Sequence, residues 1–152
     1  MANTYTQLYA HIIFSPYGRH NLIDKKVSQE IYLYLAGIIK RKNMKPIRIN
    51  GMPDHVHILL GFSPNESLSD IVRDLKSNST GYIKKQKIIQ NFEWQKGFGA
   101  FTYHKSVLPI VARYIDRQEI HHRKKTFREE YIELLIKAGI EFNKKYLYEW
   151  YE

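Results

Sequence analysis

An α+β fold of β-α-β-β-α-β order is predicted by three observations. Residues 7–15, 45–50, 55–62 and 98–104 are alternating or rich in β-branched and aromatic side chains, the mark of four strands. Segments with apolar residues at helical spacing lie between the first and second of these and between the third and fourth. The turn Gly51-Met52-Pro53-Asp54 joins the second to the third directly. This is the split-βαβ plan of ferredoxin-like and RRM-like domains. Its antiparallel sheet carries helices on one face and leaves the other open to a ligand or a second subunit. Two more helices follow.

Each element has a local cause. The first strand stops at Pro16, and residues 15–21 are a loop of turn formers. Asp24 caps a helix in which Val27, Ile31, Leu35, Ile38 and Ile39 form one stripe; Asn43 ends it. Ser67 opens the second helix, with Leu68, Ile71, Val72 and Leu75 inward, running to about Lys87. Ser106 is the expected cap of a third helix, which tolerates Pro109 in its first turn and has Val107, Ile110, Val111, Tyr114 and Ile115 as its apolar positions. Thr126 with Glu129 three residues on is a capping box for a fourth, ending near Gly139. The tail from about residue 140 carries Phe142, Tyr146, Tyr148, Trp150 and Tyr151 and is expected to dock on the chain itself or on a partner subunit.

The 152 residues suit one domain, residues 1–152, with one core. Without cysteine there is no disulfide, thiol nucleophile or thiolate zinc site. The 24 Lys and Arg against 15 Asp and Glu give a net charge of +9. Aromatics reach 14%, including 12 tyrosines. Basic plus aromatic suits single-stranded nucleic acid, where phosphates meet cations and bases stack, though charge also serves solubility. A polar start and no apolar run near the ~20 residues of a membrane span point to a soluble, cytoplasmic protein.

His55-Val56-His57 is the sharpest chemical feature. On a strand, residues i and i+2 share a face, so two imidazoles project together and Val56 enters the core. The pair is either two ligands for one cation or two half-exposed polar residues. Tyr114 and Gln118, one turn apart on the third helix, share a helix face. They would offer a phenol and a carboxamide, unless Tyr114 is simply core. A phenol can form a covalent phosphotyrosine, and a cation on a phosphate oxygen stabilises displacement at phosphorus.

The run Gly51-Met52-Pro53-Asp54-His55-Val56-His57 resembles the His-hydrophobic-His motif of single-tyrosine IS200/IS605-type transposases. Four more segments resemble that family in order: residues 69–77; Trp94-Gln95-Lys96-Gly97-Phe98-Gly99-Ala100-Phe101; Tyr114-Ile115-x-x-Gln118-x-x-His121-His122; and Phe127-x-x-Glu130-Tyr131. The likeness runs from about Leu8 to Trp150. It implies Tyr114 as nucleophile toward single-stranded DNA, leaving a 3′-OH. It implies His55, His57 and Gln118 as ligands of Mg²⁺ or Mn²⁺, hairpins near element ends as substrate, and a homodimer. The sequence departs from the family where Ser15-Pro16-Tyr17-Gly18-Arg19 lacks a lysine, Phe98 replaces tyrosine and Thr102-Tyr103-His104 replaces a small serine-containing run.

For the phosphate backbone the candidates are Arg19 and the cluster Arg123, Lys124, Lys125 and Arg128, which follows the nucleophile helix. His121 and His122 are expected to be structural or to contact DNA rather than metal, His11 and His104 to sit on the sheet beside polar neighbours. A metal ligand on the open face is expected to be exposed and to add little to the core. The rival readings are a non-catalytic single-strand-binding module, a water-using metal phosphodiesterase, and a domesticated nickase acting on chromosomal repeat hairpins.

Overall fold

The computed structural model describes residues 3–18 and 22–147. Its elements in chain order are β1 (Tyr9–Phe14), α1 (Lys25–Arg41), β2 (Lys45–Met52), β3 (His55–Gly61), α2 (Leu68–Lys85), β4 (Gly99–Thr102), α3 (Leu108–Asp116), α4 (Gln118–His121) and α5 (Phe127–Lys137). The four strands form one antiparallel sheet in the order β2-β3-β1-β4, as the split-βαβ plan requires. The turn between β2 and β3 is tighter than expected: pairing continues to Met52 opposite His55, leaving Pro53 and Asp54 at the tip.

The helix starts follow their caps. Asp24 accepts from Lys26 N, Ser67 from Asp70 N, and Thr126 and Glu129 form the reciprocal capping box. The third helix departs from expectation twice. Ser106 does not cap it: His104 accepts from Ser106 N at the head of a 3₁₀ turn, Lys105–Val107, and α3 begins at Leu108. Nor does it run unbroken through Gln118. Arg117 leaves helical geometry at φ −97°, ψ 26°, and Gln118 opens the separate α4. The physical reason lies on the sheet. Asn50 Nδ2 donates to Ile115 O at 2.9 Å, taking a carbonyl that an unbroken helix would offer to the amide four residues on.

Both faces of the sheet are covered, so the expected open face is corrected. Val56, Ile58 and Leu60 join Ile31, Leu35, Ile38, Ile71 and Leu75 of α1 and α2 in the main core. On the opposite face Leu59 packs with Val111, Ala112 and Ile115 of α3. Phe127 of α5 stacks on His55 at 4.1 Å. Burial of this second apolar cluster pins α3 over the His55–His57 side of β3, while Phe127, Tyr131 and Leu135 tie α5 to the main core. From the tail, Phe142 and Leu147 pack against the main core. Tyr148, Trp150 and Tyr151 lie outside the described residues. Among the described residues, no helix is long and apolar enough to cross a membrane.

Candidate active site

Strand alternation aims His55 and His57 at the side that α3, α4 and α5 cover, and both are 0% exposed. That corrects the expectation of exposed ligands. Gln118, at the first position of α4, is equally buried. Its Oε1 lies 2.9 Å from His55 Nε2. Tyr114, half-buried in the last turn of α3, points its hydroxyl into the same space. The imidazole pair, the carboxamide and the phenol therefore meet.

What joins them is a residue that reasoning from chemistry did not single out. Glu130 of α5 is 3% exposed. Its Oε1 lies 3.2 Å from His55 Nε2, 3.3 Å from His57 Nε2 and 3.0 Å from His122 Nε2. Its Oε2 accepts from Gln118 Nε2 at 3.1 Å and from the Tyr114 hydroxyl. A signal was present in the sequence. Phe127, Glu130, Tyr131 and Leu134 fall on one helical stripe, and a carboxylate on an apolar stripe needs partners.

The outer partners orient the rings. His55 Nδ1 donates to Asp54 Oδ1 at 2.7 Å. His57 Nδ1 is 2.7 Å from His11 Nε2, and the two rings stack at 5.0 Å. His11 thus sits on the sheet as expected, its polar neighbour being another imidazole. His122 Nδ1 donates to Lys125 O at 2.9 Å, which closes the turn after α4, while its other nitrogen enters the cluster. His122 thus both closes this turn and borders the cluster. His121 stacks on the Tyr114 ring at 4.7 Å, and its buried Nε2 has no hydrogen-bond partner among the described residues. A cavity of about 260 Å³, lined in part by Tyr114, His121, Glu130, Lys125 and Lys137, gives access to the phenol.

Charge in the cluster is strongly coupled. Burial alone would raise the Glu130 carboxyl, but hydrogen bonds from His122, His55 and His57 hold it far below the usual carboxylate range. Burial acts to lower the His55 and His57 imidazoles. For His57 burial prevails over Glu130 and the pKa falls; for His55, Asp54 and Glu130 together outweigh burial and raise it to about 9. Burial, then the charge of Glu130, push the Tyr114 phenol well above its ordinary value. The phenol is thus held as a protonated donor to Glu130.

Ligand atoms of His55, His122 and Glu130 lie within 4.8 Å of one another. His57 Nε2 and Gln118 Oε1 border the same carboxylate or the same imidazole. Imidazole nitrogens with carboxylate and amide oxygens are a donor set that fits a divalent cation. The basic residues lie near the phenol in the chain: Arg123 and Lys124 are exposed in the turn between α4 and α5, and Arg128 is half-buried in the first turn of α5. Lys125 is already paired with Glu133. Arg19 lies outside the described residues.

The chain matches the family described as "Transposase IS200 like" over residues 4–118. His122 and Glu130 lie beyond that stretch. The ISDra2 transposase TnpA of Deinococcus radiodurans is 26% identical over 118 residues, 74% of this chain and 84% of that protein. The crystal structure of a candidate transposase from Deinococcus radiodurans R1 superposes with TM-score 0.59 at 24% identity, over 78% of this chain and 95% of that one. A REP-associated tyrosine transposase bound to a REP hairpin gives 0.60 at 14% identity, over 80% and 73%. At those identities the two structures share the fold.

Proposed function

Because the chain belongs to the IS200-like transposase family, we propose that it cleaves and rejoins single-stranded DNA through a covalent bond between DNA and Tyr114. One observation carries the reading: Tyr114, Gln118, His55 and His57 share a single buried carboxylate, Glu130.

In this mechanism the Tyr114 oxygen attacks the scissile phosphorus. The bond to the 3′ oxygen breaks as the tyrosine–phosphorus bond forms, leaving a 3′-OH and a 5′-phosphotyrosine. The phenol's proton leaves along its hydrogen bond to Glu130 Oε2 and passes to solvent, and the departing 3′ oxygen takes its proton from solvent. Attack by another 3′-OH reverses the step and joins strands without ATP. His55, His57 and Gln118 would hold Mg²⁺ or Mn²⁺, which when bound would offset the charge that develops on the phosphate oxygens. His121 keeps the phenol ring in place, and its unpartnered Nε2 donates to a phosphate oxygen of the substrate.

Arg123, Lys124, Arg128 and, once released from Glu133, Lys125 bind the phosphate backbone. Arg19 adds to them. The substrate is single-stranded DNA with a hairpin, a reading supported by the hairpin bound to a neighbour of the same fold. The chain acts as one catalytic domain in the cytoplasm and as a homodimer. Ile110, Ile120 and Ile136, at 63%, 50% and 64% exposure on α3, α4 and α5, are apolar side chains that pairing would cover.

The test is a denaturing gel of protein incubated with labelled hairpin-bearing single-stranded DNA and Mn²⁺. The expected result is a covalently shifted band that Tyr114→Phe abolishes. Free 5′-phosphate without an adduct would assign the site to a water-using phosphodiesterase instead.

A further inference from the structure

Three imidazole nitrogens face one carboxylate oxygen, and that arrangement needs a positive charge between them. His55 Nδ1 and His122 Nδ1 are both spent as donors, to Asp54 Oδ1 at 2.7 Å and Lys125 O at 2.9 Å. In a neutral imidazole the other nitrogen is then a lone pair. Both of these nitrogens stand beside Glu130 Oε1, at 3.2 and 3.0 Å, and His57 Nε2 lies 3.3 Å from the same oxygen. Acceptors do not bind acceptors. A divalent ion among them would be held by all of these atoms at once.

The spacing has the right size. Ligands at right angles around an ion with bonds of about 2.1 Å lie about 3.0 Å apart. Glu130 Oε1 stands at 3.0–3.3 Å from three nitrogens, and Gln118 Oε1 at 2.9 Å from His55 Nε2. Charge argues the same way. Two imidazoles and an amide carry none, whereas Mg²⁺ and Mn²⁺ favour an anionic oxygen.

We propose that Glu130 and His122 are themselves ligands of the cation, through Oε1 and Nε2, in addition to His55, His57 and Gln118. The assignment rests on the reading of this centre as metal-dependent. Five protein donors leave one place of an octahedron for a phosphate oxygen. Three imidazoles shift the preference from Mg²⁺ toward Mn²⁺. Glu130 then spans the centre, Oε1 on the ion and Oε2 on the nucleophile's hydroxyl.

Titration calorimetry without DNA, with Mn²⁺ and with Mg²⁺, tests the ligand set apart from catalysis. The full chain is expected to bind one Mn²⁺ more tightly than Mg²⁺ by about 100-fold, and Glu130→Gln to weaken Mn²⁺ by about 100-fold or more. Since a buried substitution can perturb folding, pulsed electron paramagnetic resonance of the Mn²⁺-loaded unmutated chain supplies the second readout. Three coupled imidazole nitrogens are expected there, and two in His122→Ala. Two in the unmutated chain, or unchanged Mn²⁺ affinity in both Glu130→Gln and His122→Ala, overturns the assignment. Three imidazoles with no Tyr114-dependent adduct on hairpin DNA would uphold the ligand set while overturning the strand-transfer reading.

Discussion

The Tyr114 hydroxyl donates its hydrogen bond to Glu130, sixteen residues on and one helix away. The same carboxylate receives Gln118 Nε2 at 3.1 Å. Nucleophile and cation site are thus coupled through one side chain. Tyr114→Phe removes the nucleophile but leaves Glu130 its nitrogen partners. Adduct on hairpin DNA is expected to fall below detection, with a stability loss of about 1–2 kcal/mol, the worth of one hydrogen bond to a charged group. Urea melts alongside the gel assay check both; an adduct that persists identifies another tyrosine as nucleophile.

His57→Ala will cost more than a surface ligand would. His57 is fully buried, faces Glu130 at 3.3 Å and anchors His11 at 2.7 Å. Removing it orphans His11 Nε2 and withdraws one partner from a buried carboxylate, a destabilisation of about 2–3 kcal/mol. The denaturant midpoint of the metal-free protein measures it. A midpoint equal to that of the unmutated chain would contradict the burial of this ring.

Metal-free stability is expected to peak near neutral pH. His55, raised to about 9 in the folded chain against 6.5 unfolded, contributes stability that is complete below pH 6.5 and lost as the pH rises through 9. His57 and His11 are lowered in the folded state, so their contribution is present above pH 6.5 and lost on acidification. Thermal midpoints from pH 5 to 10 in a chelator check this. His55→Gln should flatten the alkaline limb, which is worth on the order of 3 kcal/mol at ~1.4 kcal/mol per pKa unit.

Binding of single-stranded DNA is expected to depend steeply on salt, with the logarithmic slope reduced by about 0.7 for each phosphate contact removed. Arg123→Ala and Lys124→Ala, both exposed, should each lower the slope by that amount and leave melting unchanged. Fluorescence anisotropy at several salt concentrations measures it. A slope unmoved in both variants would remove this turn from the DNA surface.

Gly51→Ala tests the geometry that presents the histidines. A Cβ on Gly51 would overlap the carbonyl of His55, backbone that cannot swing aside. Shifting the β2–β3 ladder to make room is expected to cost on the order of 3 kcal/mol and to weaken Mn²⁺ binding together with stability. Melting and calorimetry on the same sample read both; an Ala variant as stable as the parent would mean that the ladder yields easily.

Local signals reach far in this chain. Asp24, Ser67 and the Thr126–Glu129 box start helices where the capping residues stand. The i, i+2 spacing turns His55 and His57 to one face, with Val56 in the core. These features depend on neighbours in sequence, so periodicity and capping chemistry determine them. Resemblance to a family added Tyr114 and Gln118, which twelve tyrosines and a stripe of apolar positions could not single out.

The rest belongs to packing. The break at Arg117 comes from Asn50, 65 residues before the carbonyl of Ile115 it captures. The β1–β3 register brings His11 to His57, and Glu130 reaches His57 and His122 because α5 lies across the sheet with Phe127 on His55. A single strand or helix can say that a histidine or a carboxylate lies on a face. Which buried charge it meets there is decided by the burial of other residues' apolar surface, and that is a property of the folded whole.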